Sequence, residues 1–278
     1  MMFSKQLKLA VVALAFGAAG AHAATVGLPV TIQESAGGGF PNQFVADQLS
    51  GQYDEVVTFQ DASHFSTAAI FNAGQWFRNG NALSTQLNAV YPPLFPAYGY
   101  GIYAKFIGSG TYTTDGTTTT FKATYNAIEL YLDQNQDTDW NVGGSASAVP
   151  SFGDLVLASG AASLTDDLLL GTASLTLAAD GNSSGSGLAN GNFEILFGDF
   201  QLKSPDGEAY FIAPRPFHIK LDLNGNFQSF IPVSGQSIQL LNNSANAFFV
   251  PVPEPGALAL VGAAFLAVGV ASKRRKSA

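Results

Sequence analysis

Oxygen-bearing side chains recur at alternate positions in one short segment of the sequence: Asp133, Asn135, Asp137 and Asp139. Ca²⁺ prefers about six to eight oxygen ligands, and a curled loop can direct alternate side chains toward one ion. The segment departs from an EF-hand loop, because Thr138 replaces the turn glycine and Gly144 replaces the final glutamate. We therefore expect either a weak calcium site, with a Kd of about 10⁻⁴–10⁻³ M, or a solvated turn whose Asp and Asn make local backbone hydrogen bonds.

The residues that hydrolytic chemistry needs occur without their usual context. Gly181 to Gly185 matches the G-x-S-x-G pattern, but the glycine-rich sequence after it predicts a flexible turn rather than the required helix. His64 follows Asp61 and Ser63, yet closeness in sequence does not make a catalytic triad. Adjacent acids such as Asp166-Asp167 would point to opposite faces of a strand. We predict a non-enzymatic protein and keep a secreted hydrolase as the less favoured alternative.

Aromatic residues cluster in the sequence between positions 71 and 103. A flat aromatic face would stack on sugar rings, whereas packing in a hydrophobic core is the commoner fate of such side chains. Both interpretations stay open at this point. The cluster comprises Phe71, Trp76, Phe77, Tyr91, Phe95, Tyr98, Tyr100 and Tyr103.

Charge and composition exclude several classes of partner. Residues 24–251 contain six basic and nineteen acidic residues, a net charge of −13, and the chain has no cysteine. An acidic surface repels nucleic acid and anionic lipid, and the absence of cysteine excludes disulfides and thiolate metal sites. We therefore expect no nucleic-acid partner, while metal cations and neutral sugars remain possible ligands.

Alternation of apolar and polar residues predicts an all-β body. The clearest pattern is a hairpin of Gly101–Tyr112 with Thr118–Leu132, joined at Asp115-Gly116. Asn224-Gly225 predicts another hairpin turn, and one helix is expected at Thr67–Trp76 or Gly80–Val90. Many short strands separated by turn residues favour a jelly-roll-like β-sandwich. Further strands are predicted at Val26–Ile32, Glu55–Phe59, Asp154–Leu157, Leu168–Leu177, Phe193–Phe197, Tyr210–Ala213, Phe217–Leu223 and Ser237–Leu241.

The N-terminus has the three parts of a secretory signal peptide. Lys5 and Lys8 precede an apolar run, which ends at the small residues Ala21 and Ala23 of an A-x-A cleavage site. We predict that signal peptidase removes residues 1–23. The all-β domain, residues 24–251, is then exported.

The C-terminus contains Pro253, Glu254, Pro255 and Gly256, then an apolar stretch from Ala257 to Ala271, then a basic cluster of Lys273, Arg274, Arg275 and Lys276. The stretch is just long enough to cross a bilayer, and the basic cluster would hold its end in the cytoplasm. In order and position, residues 252–278 resemble the PEP-CTERM sorting signal. The resemblance implies processing by an exosortase, a transient stay in the inner membrane, and then a place at the cell surface or in the extracellular matrix.

Two body motifs extend this resemblance. Tyr53–Phe59 and Leu130–Thr138, together with the tail, resemble the flocculation-associated PEP-CTERM protein family PepA. The resemblance implies a role in holding cells and exopolysaccharide together in flocs or biofilm, and it supplies no catalytic residues. A secreted carbohydrate- or calcium-binding module is the alternative function.

Overall fold

The structure is a computed structural model that describes residues 27–37, 42–89, 99–115, 118–158, 164–174, 176–184, 190–226 and 232–252. Strands dominate these residues, and each segment that the alternation predicts as a strand contains one. The strands are β1 (Val30–Gln33), β2 (Gln43–Ala46), β3 (Gln48–Phe59), β4 (His64–Arg78), β5 (Asn81–Ala82), β6 (Gly101–Thr114), β7 (Thr118–Asp133), β8 (Trp140–Val142), β9 (Leu155–Leu157), β10 (Leu168–Ala173), β11 (Thr176–Ser184), β12 (Asn190–Phe197), β13 (Gln201–Leu202), β14 (Phe211–Ala213), β15 (Phe217–Asn226) and β16 (Ser237–Pro251).

The main sheet is antiparallel and continuous, in the order β11-β12-β15-β16-β3-β4-β6-β7-β10-β13. Strand β11 also pairs with the first half of β7, so that eight strands form a closed ring. This connectivity differs from the predicted sandwich of two sheets. The reason is the length of β7, whose free edge pairs with β11 near its start and with β10 near its end. Pairings between such distant segments leave no local signal in the sequence.

The predicted hairpin is confirmed as β6 and β7, although Gly116 of its turn lies outside the described residues. The strict alternation predicted along β7 is interrupted. Ser109 pairs with Tyr125 and Gly110 with Ala123, which leaves Thr124 as an extra residue in a β-bulge. A bulge changes which face the following side chains occupy. As a result Phe121 and Ile128, which strict alternation would place on opposite faces, both enter the buried interior.

The interior of the ring is rich in aromatic residues. Trp76 is fully buried and stacks on Phe249 with ring centroids 6.0 Å apart, and Phe217 meets the same Phe249 edge-on at 5.0 Å. Glu55 also points into this interior, where the Thr67 hydroxyl lies 2.6 Å from its Oε1 atom. Burial raises the pKa of Glu55 to about 7, although the hydrogen bond from Thr67 opposes the shift.

A small second layer covers the outer face of β3, β4, β6 and β7. It consists of β8, β9 and the loop between them, which includes a 3₁₀ turn at Phe152–Asp154, and it buries Trp140 and Leu155 against Ile70 and Ile107. The Lys105 ammonium lies 3.9 Å from the centroid of the Trp140 ring, within the range of a cation–π contact. Strand β4 is therefore buried on both faces.

Several predictions of local structure are wrong. Thr67–Trp76 lies within β4 instead of a helix, and residues 80–89 contain no helix. The described α-helix is a single short one, α1 (Asp206–Tyr210), and a further 3₁₀ turn spans Glu34–Gly37. Asn224-Gly225 continues β15 and Gly181–Ser184 continues β11, where turns were expected. Both segments pair with β12, so sheet pairing overrides the local turn signal.

Candidate functional sites

The end of β7 and the start of β10 bring acidic side chains together. Because Leu168 pairs with Leu132, the residues just before β10 lie beside the last residue of β7. Carboxylate oxygens of Asp133, Asp166 and Asp167 lie within 4.8 Å of one another. Asp137, in the loop after β7, interacts electrostatically with Asp133 and Asp166. These four residues are called the aspartate cluster below.

Hydrogen bonding within the aspartate cluster is uneven. Asp133 is 3% exposed and accepts hydrogen bonds from the backbone N–H groups of Asn135 at 3.1 Å, Asp137 at 3.4 Å and Thr138 at 3.0 Å. These are the local bonds that the solvated-turn interpretation predicts. By contrast, Asp137 Oδ1 and Asp166 Oδ2 are buried atoms with no hydrogen-bond partner in the described part of the chain.

The electrostatics of the aspartate cluster disfavour ionisation of two of its members, Asp137 and Asp167. Burial is the main cause that raises the pKa of Asp137, and the charges of Asp166 and Asp133 raise it further. Burial likewise raises the pKa of Asp167, against hydrogen bonds donated by the hydroxyls of Tyr103 at 2.7 Å and Thr138 at 3.1 Å. In the described residues, no Lys or Arg nitrogen lies within 4.0 Å of these carboxylates. A bound cation would supply the missing positive charge.

The aspartate cluster includes only part of the predicted calcium ligands. Asp133 and Asp137 belong to it, whereas Asn135 and Asp139 are exposed and Asp139 is not among the converging carboxylates. Asp166 and Asp167 were not predicted as ligands. Their signal in the sequence is a pair of acids directly before a predicted strand, but only the pairing of β10 with β7 shows which loop they face.

A second candidate site is an open groove of about 650 Å³ across β16, β3 and β4. Most of its lining consists of uncharged polar side chains, and this site is called the amide groove below. Its volume falls within the range of about 300–1,000 Å³ that is typical of ligand sites. The polar lining comprises Ser50, Gln52, Asn72, Gln75, Asn88, Asn242 and Ser244.

Irregular pairing on both sides of β3 builds the amide groove. Ser50 pairs with Gln75 and Gly51 with Ala73, which leaves Gly74 as a bulge in β4. On the other side, the register shifts between Leu240 and Asn243 of β16, and Asn242 adopts a φ of 57°. Bulges of this kind redirect side chains and are common beside functional sites.

The hydrogen-bonding groups of the amide groove are of two kinds. The side chains of Ser50, Gln75 and Ser244 have internal partners. Gln52 and Asn72 are exposed, and their side-chain amides make no hydrogen bond within the described residues. Asn88 is held in place, since its Nδ2 donates to Ala73 O at 2.6 Å. Among the described lining residues, Asp54 is the one carboxylate, and its Oδ1 accepts a hydrogen bond from Asn242 N at 2.6 Å. Phe77, which is half-buried, supplies an apolar wall.

The aromatic cluster divides between the two fates that the sequence left open. Phe71, Trp76, Tyr100 and Tyr103 are buried in the core, whereas Phe77 lines the amide groove. Tyr91, Phe95 and Tyr98 lie outside the described residues.

The histidines do not form a catalytic triad in the described structure. Ser63 Oγ lies 3.1 Å from His64 Nδ1, and Asp61 Oδ2 lies 2.8 Å from the same nitrogen. A triad requires the serine and the acid on opposite nitrogens of the imidazole. Backbone hydrogen bonding from Ser63, followed by the bond from His64, lowers the pKa of Asp61 to about 2. His218 is 6% exposed in β15, and burial lowers its pKa.

The predicted processing segments lie outside the described residues. This applies to Ala21 and Ala23 of the signal peptide, to Pro253, Glu254, Pro255 and Gly256, and to the basic cluster of Lys273, Arg274, Arg275 and Lys276. Within the described ranges, no helix has the length and apolar character that crossing a membrane requires.

In a comparison with known families, residues 251–276 match the PEP-CTERM protein-sorting motif. The motif supports a PEP-CTERM protein, which is exported through a membrane-anchored precursor, processed by exosortase and sorted to the cell surface. The match covers the tail of the chain. Neither the curated proteins nor the solved structures give a match to the chain.

Proposed function

We propose that this protein is a non-enzymatic component of the cell surface or extracellular matrix that acts in exopolysaccharide-associated cell aggregation, as in flocs or biofilm. The observation that carries the proposal is the PEP-CTERM motif at the end of an all-β domain. The resemblance to the PepA family supports aggregation as the role. Its two body motifs fall at the candidate sites, since Tyr53–Phe59 runs along β3 beside the amide groove and Leu130–Thr138 leads into the aspartate cluster.

The composition of the candidate sites supports binding rather than catalysis. Where the structure describes it, the lining of the amide groove presents neutral hydrogen-bonding groups and no histidine, and its one carboxylate, Asp54, is hydrogen-bonded to the backbone. The pairing of Ser63 and Asp61 with one nitrogen of His64 does not provide a base for a serine nucleophile.

The test replaces Pro253, Glu254 and Pro255 with alanine in the native host and follows the mass and location of the protein while cell aggregation is scored. A gene deletion and its complementation with the unmodified gene are the controls. We expect an uncut precursor in the inner membrane and dispersed cells, as in the deletion strain. Normal aggregation in the deletion strain would refute the proposed role. Normal cutting of the alanine variant would refute exosortase processing at this motif.

A second candidate function is calcium binding at the aspartate cluster. It is favoured by the two buried carboxylate oxygens, Asp137 Oδ1 and Asp166 Oδ2, that have no hydrogen-bond partner in the described part of the chain. Because Ca²⁺ is bound by carboxylate and carbonyl oxygens, these atoms are suitable ligands. The corresponding test is the calcium dependence of thermal stability, which is designed in the Discussion.

A further inference from the structure

We propose that the amide groove binds a neutral, hydroxyl-rich glycan segment, and that Gln52 and Asn72 are its principal hydrogen-bonding contacts. This inference rests on the proposed function and specifies the ligand class and the surface that would contact the polysaccharide.

The lining matches the chemistry of sugar hydroxyls. A hydroxyl group both donates and accepts hydrogen bonds, and each Asn or Gln amide supplies two donors and an acceptor with two lone pairs. Gln52 and Asn72 belong to neighbouring strands and pair directly in the β3–β4 register, so both project their amides into the same stretch of the groove. Phe77 lies farther along β4, where the apolar C–H face of a sugar ring could pack on it.

One glycine leaves the floor of the amide groove open. Gly74 carries no side chain, so a ligand can approach the backbone between the amides, whereas at Gly51 the position of a Cβ atom is taken up by Asn72 O and the Phe71 ring. A Cβ atom at Gly74 would lie 3.6 Å from Ser50 O and 3.9 Å from the Cα of Gly51, which are ordinary contact distances. A larger residue at position 74 therefore fits the backbone and would project into the groove.

The surroundings exclude other classes of ligand. An acidic polysaccharide would meet no lysine or arginine among the described residues of the lining and would be repelled by a domain with a net charge of −13. A peptide that binds by strand addition needs a free strand edge, but β3 is paired with β16 on one side and with β4 on the other. An apolar partner would find little apolar surface among the described lining residues, since Phe77 is half-buried and the ring of Tyr53 is buried in the core. A neutral glycan requires neither basic residues, nor a free strand edge, nor a large apolar surface, and it therefore fits the amide groove.

The test uses the protein purified from its native host and matrix polysaccharide from the same host. The polysaccharide is partially hydrolysed and separated by anion exchange into neutral and acidic oligosaccharides, and binding is measured by calorimetry. Two groove variants are compared with the wild type: Gly74→Phe, and the pair Gln52→Ala with Asn72→Ala. The matched controls are Gly144→Phe, at an exposed glycine with open space, and Asn141→Ala with Gln201→Ala, at exposed strand positions outside the groove.

We expect the neutral fraction to bind the wild type, and both groove variants to weaken binding by at least about tenfold, while both controls stay within about twofold. Thermal melting of each variant establishes that it is folded, and the paired alanine variant keeps the test valid if Gly74→Phe fails to fold. Equal binding by the wild type and the folded groove variants would overturn the inference, as would binding of the acidic fraction alone.

Failure of this inference is distinguishable from failure of the proposed function. If matrix polysaccharide binds but the groove variants bind equally well, the protein contacts the glycan elsewhere and only the groove assignment falls. If neither fraction binds and the deletion strain still aggregates, the role in aggregation falls as well.

Discussion

The amide groove and the aspartate cluster are two polar regions of one sheet that differ in how their polar groups are solvated. The amide groove lies at mid-strand, and Gln52 and Asn72 are neutral and exposed. The aspartate cluster lies at a strand end, where acids lie close together and two of their buried oxygens have no hydrogen-bond partner among the described residues. A glycan in the amide groove would replace the water molecules that solvate the amides with its own hydroxyl groups. A cation at the aspartate cluster would instead relieve the repulsion between the carboxylates.

This difference determines which measurement detects each ligand. Relief of repulsion between partly buried carboxylates changes the free energy of unfolding, so a cation at the aspartate cluster should be visible in thermal stability. Neutral amides at the surface contribute little to stability with or without a ligand. Occupancy of the amide groove must therefore be measured directly as binding.

The largest expected effect comes from Glu55, a buried carboxyl on β3. Its pKa is raised by burial and not by repulsion from other acids, so it tests the effect of burial alone. Its folded-state pKa of about 7 lies above the unfolded value, so the folded protein holds the proton more tightly. Stability is therefore lost as the pH rises from about 4.5 to about 7. At pH 8 we expect Glu55→Gln to be more stable than the wild type by up to about 3 kcal/mol, and at pH 4 to be equal to it.

Urea unfolding across the pH range measures this effect, with exposed Glu208→Gln as the control. The stability curve of Glu208→Gln should run parallel to that of the wild type. If Glu55→Gln also runs parallel, the wild-type carboxyl stays ionised in the interior and our assignment of its protonation is wrong.

The next effect is the response of the aspartate cluster to calcium. For a Kd of about 1 mM, Ca²⁺ at about 10 mM stabilises the folded state by about 1.4 kcal/mol, or roughly 3–5 °C in melting temperature. Addition of EDTA should reverse the shift. The double variant Asp137→Asn with Asp166→Asn should lose it, whereas Asp139→Asn should keep it, because Asp139 is exposed outside the converging group. If calcium leaves the wild-type melting temperature unchanged, the loop is not a calcium site and is only a turn stabilised by hydrogen bonds to Asp133.

A smaller effect is expected from Asp137→Asn alone in EDTA. Burial and the charges of Asp166 and Asp133 raise the pKa of Asp137, so its ionised form is disfavoured in the folded state. A neutral amide removes this repulsion, and we expect the melting temperature at pH 7 to rise by roughly 2 °C. The gain should disappear at a pH low enough to protonate the aspartates. Destabilisation by Asp137→Asn, with Asp139→Asn neutral, would show that the carboxylate is needed for a local contact.

The sequence predicted the strands better than it predicted their partners. Alternation located β7 and β15, because buried and more exposed side chains alternate over part of each strand. Strand β6 was found as the hairpin partner of β7, although its burial is nearly continuous. It failed at Thr67–Trp76, where β4 is covered on one side by the interior and on the other by β8 and β9. A strand buried on both faces is a continuous apolar run, which resembles a buried helix.

The candidate sites were predicted only where their residues are local. Asp133 and Asp137 follow one another in a single loop, so spacing revealed them. Asp166 and Asp167 join them through the pairing of β10 with β7, which no local pattern encodes. The amide groove was missed for a similar reason, since it depends on pairing irregularities on both sides of β3. Gly74 within an apolar run was its one available signal, because glycine inside a strand often marks a bulge.

The smallest expected effect is also the sharpest test of the contrast between the two regions. Gln52→Ala with Asn72→Ala should change the free energy of unfolding by less than about 0.5 kcal/mol, because both side chains are exposed and make no hydrogen bond within the described residues. The calcium response should be unchanged, since the aspartate cluster involves neither residue. A loss above about 1 kcal/mol would mean that these amides support the bulged strands. In that case they would not be available to a ligand, and any reduced glycan binding by this variant would have to be attributed to altered strand geometry.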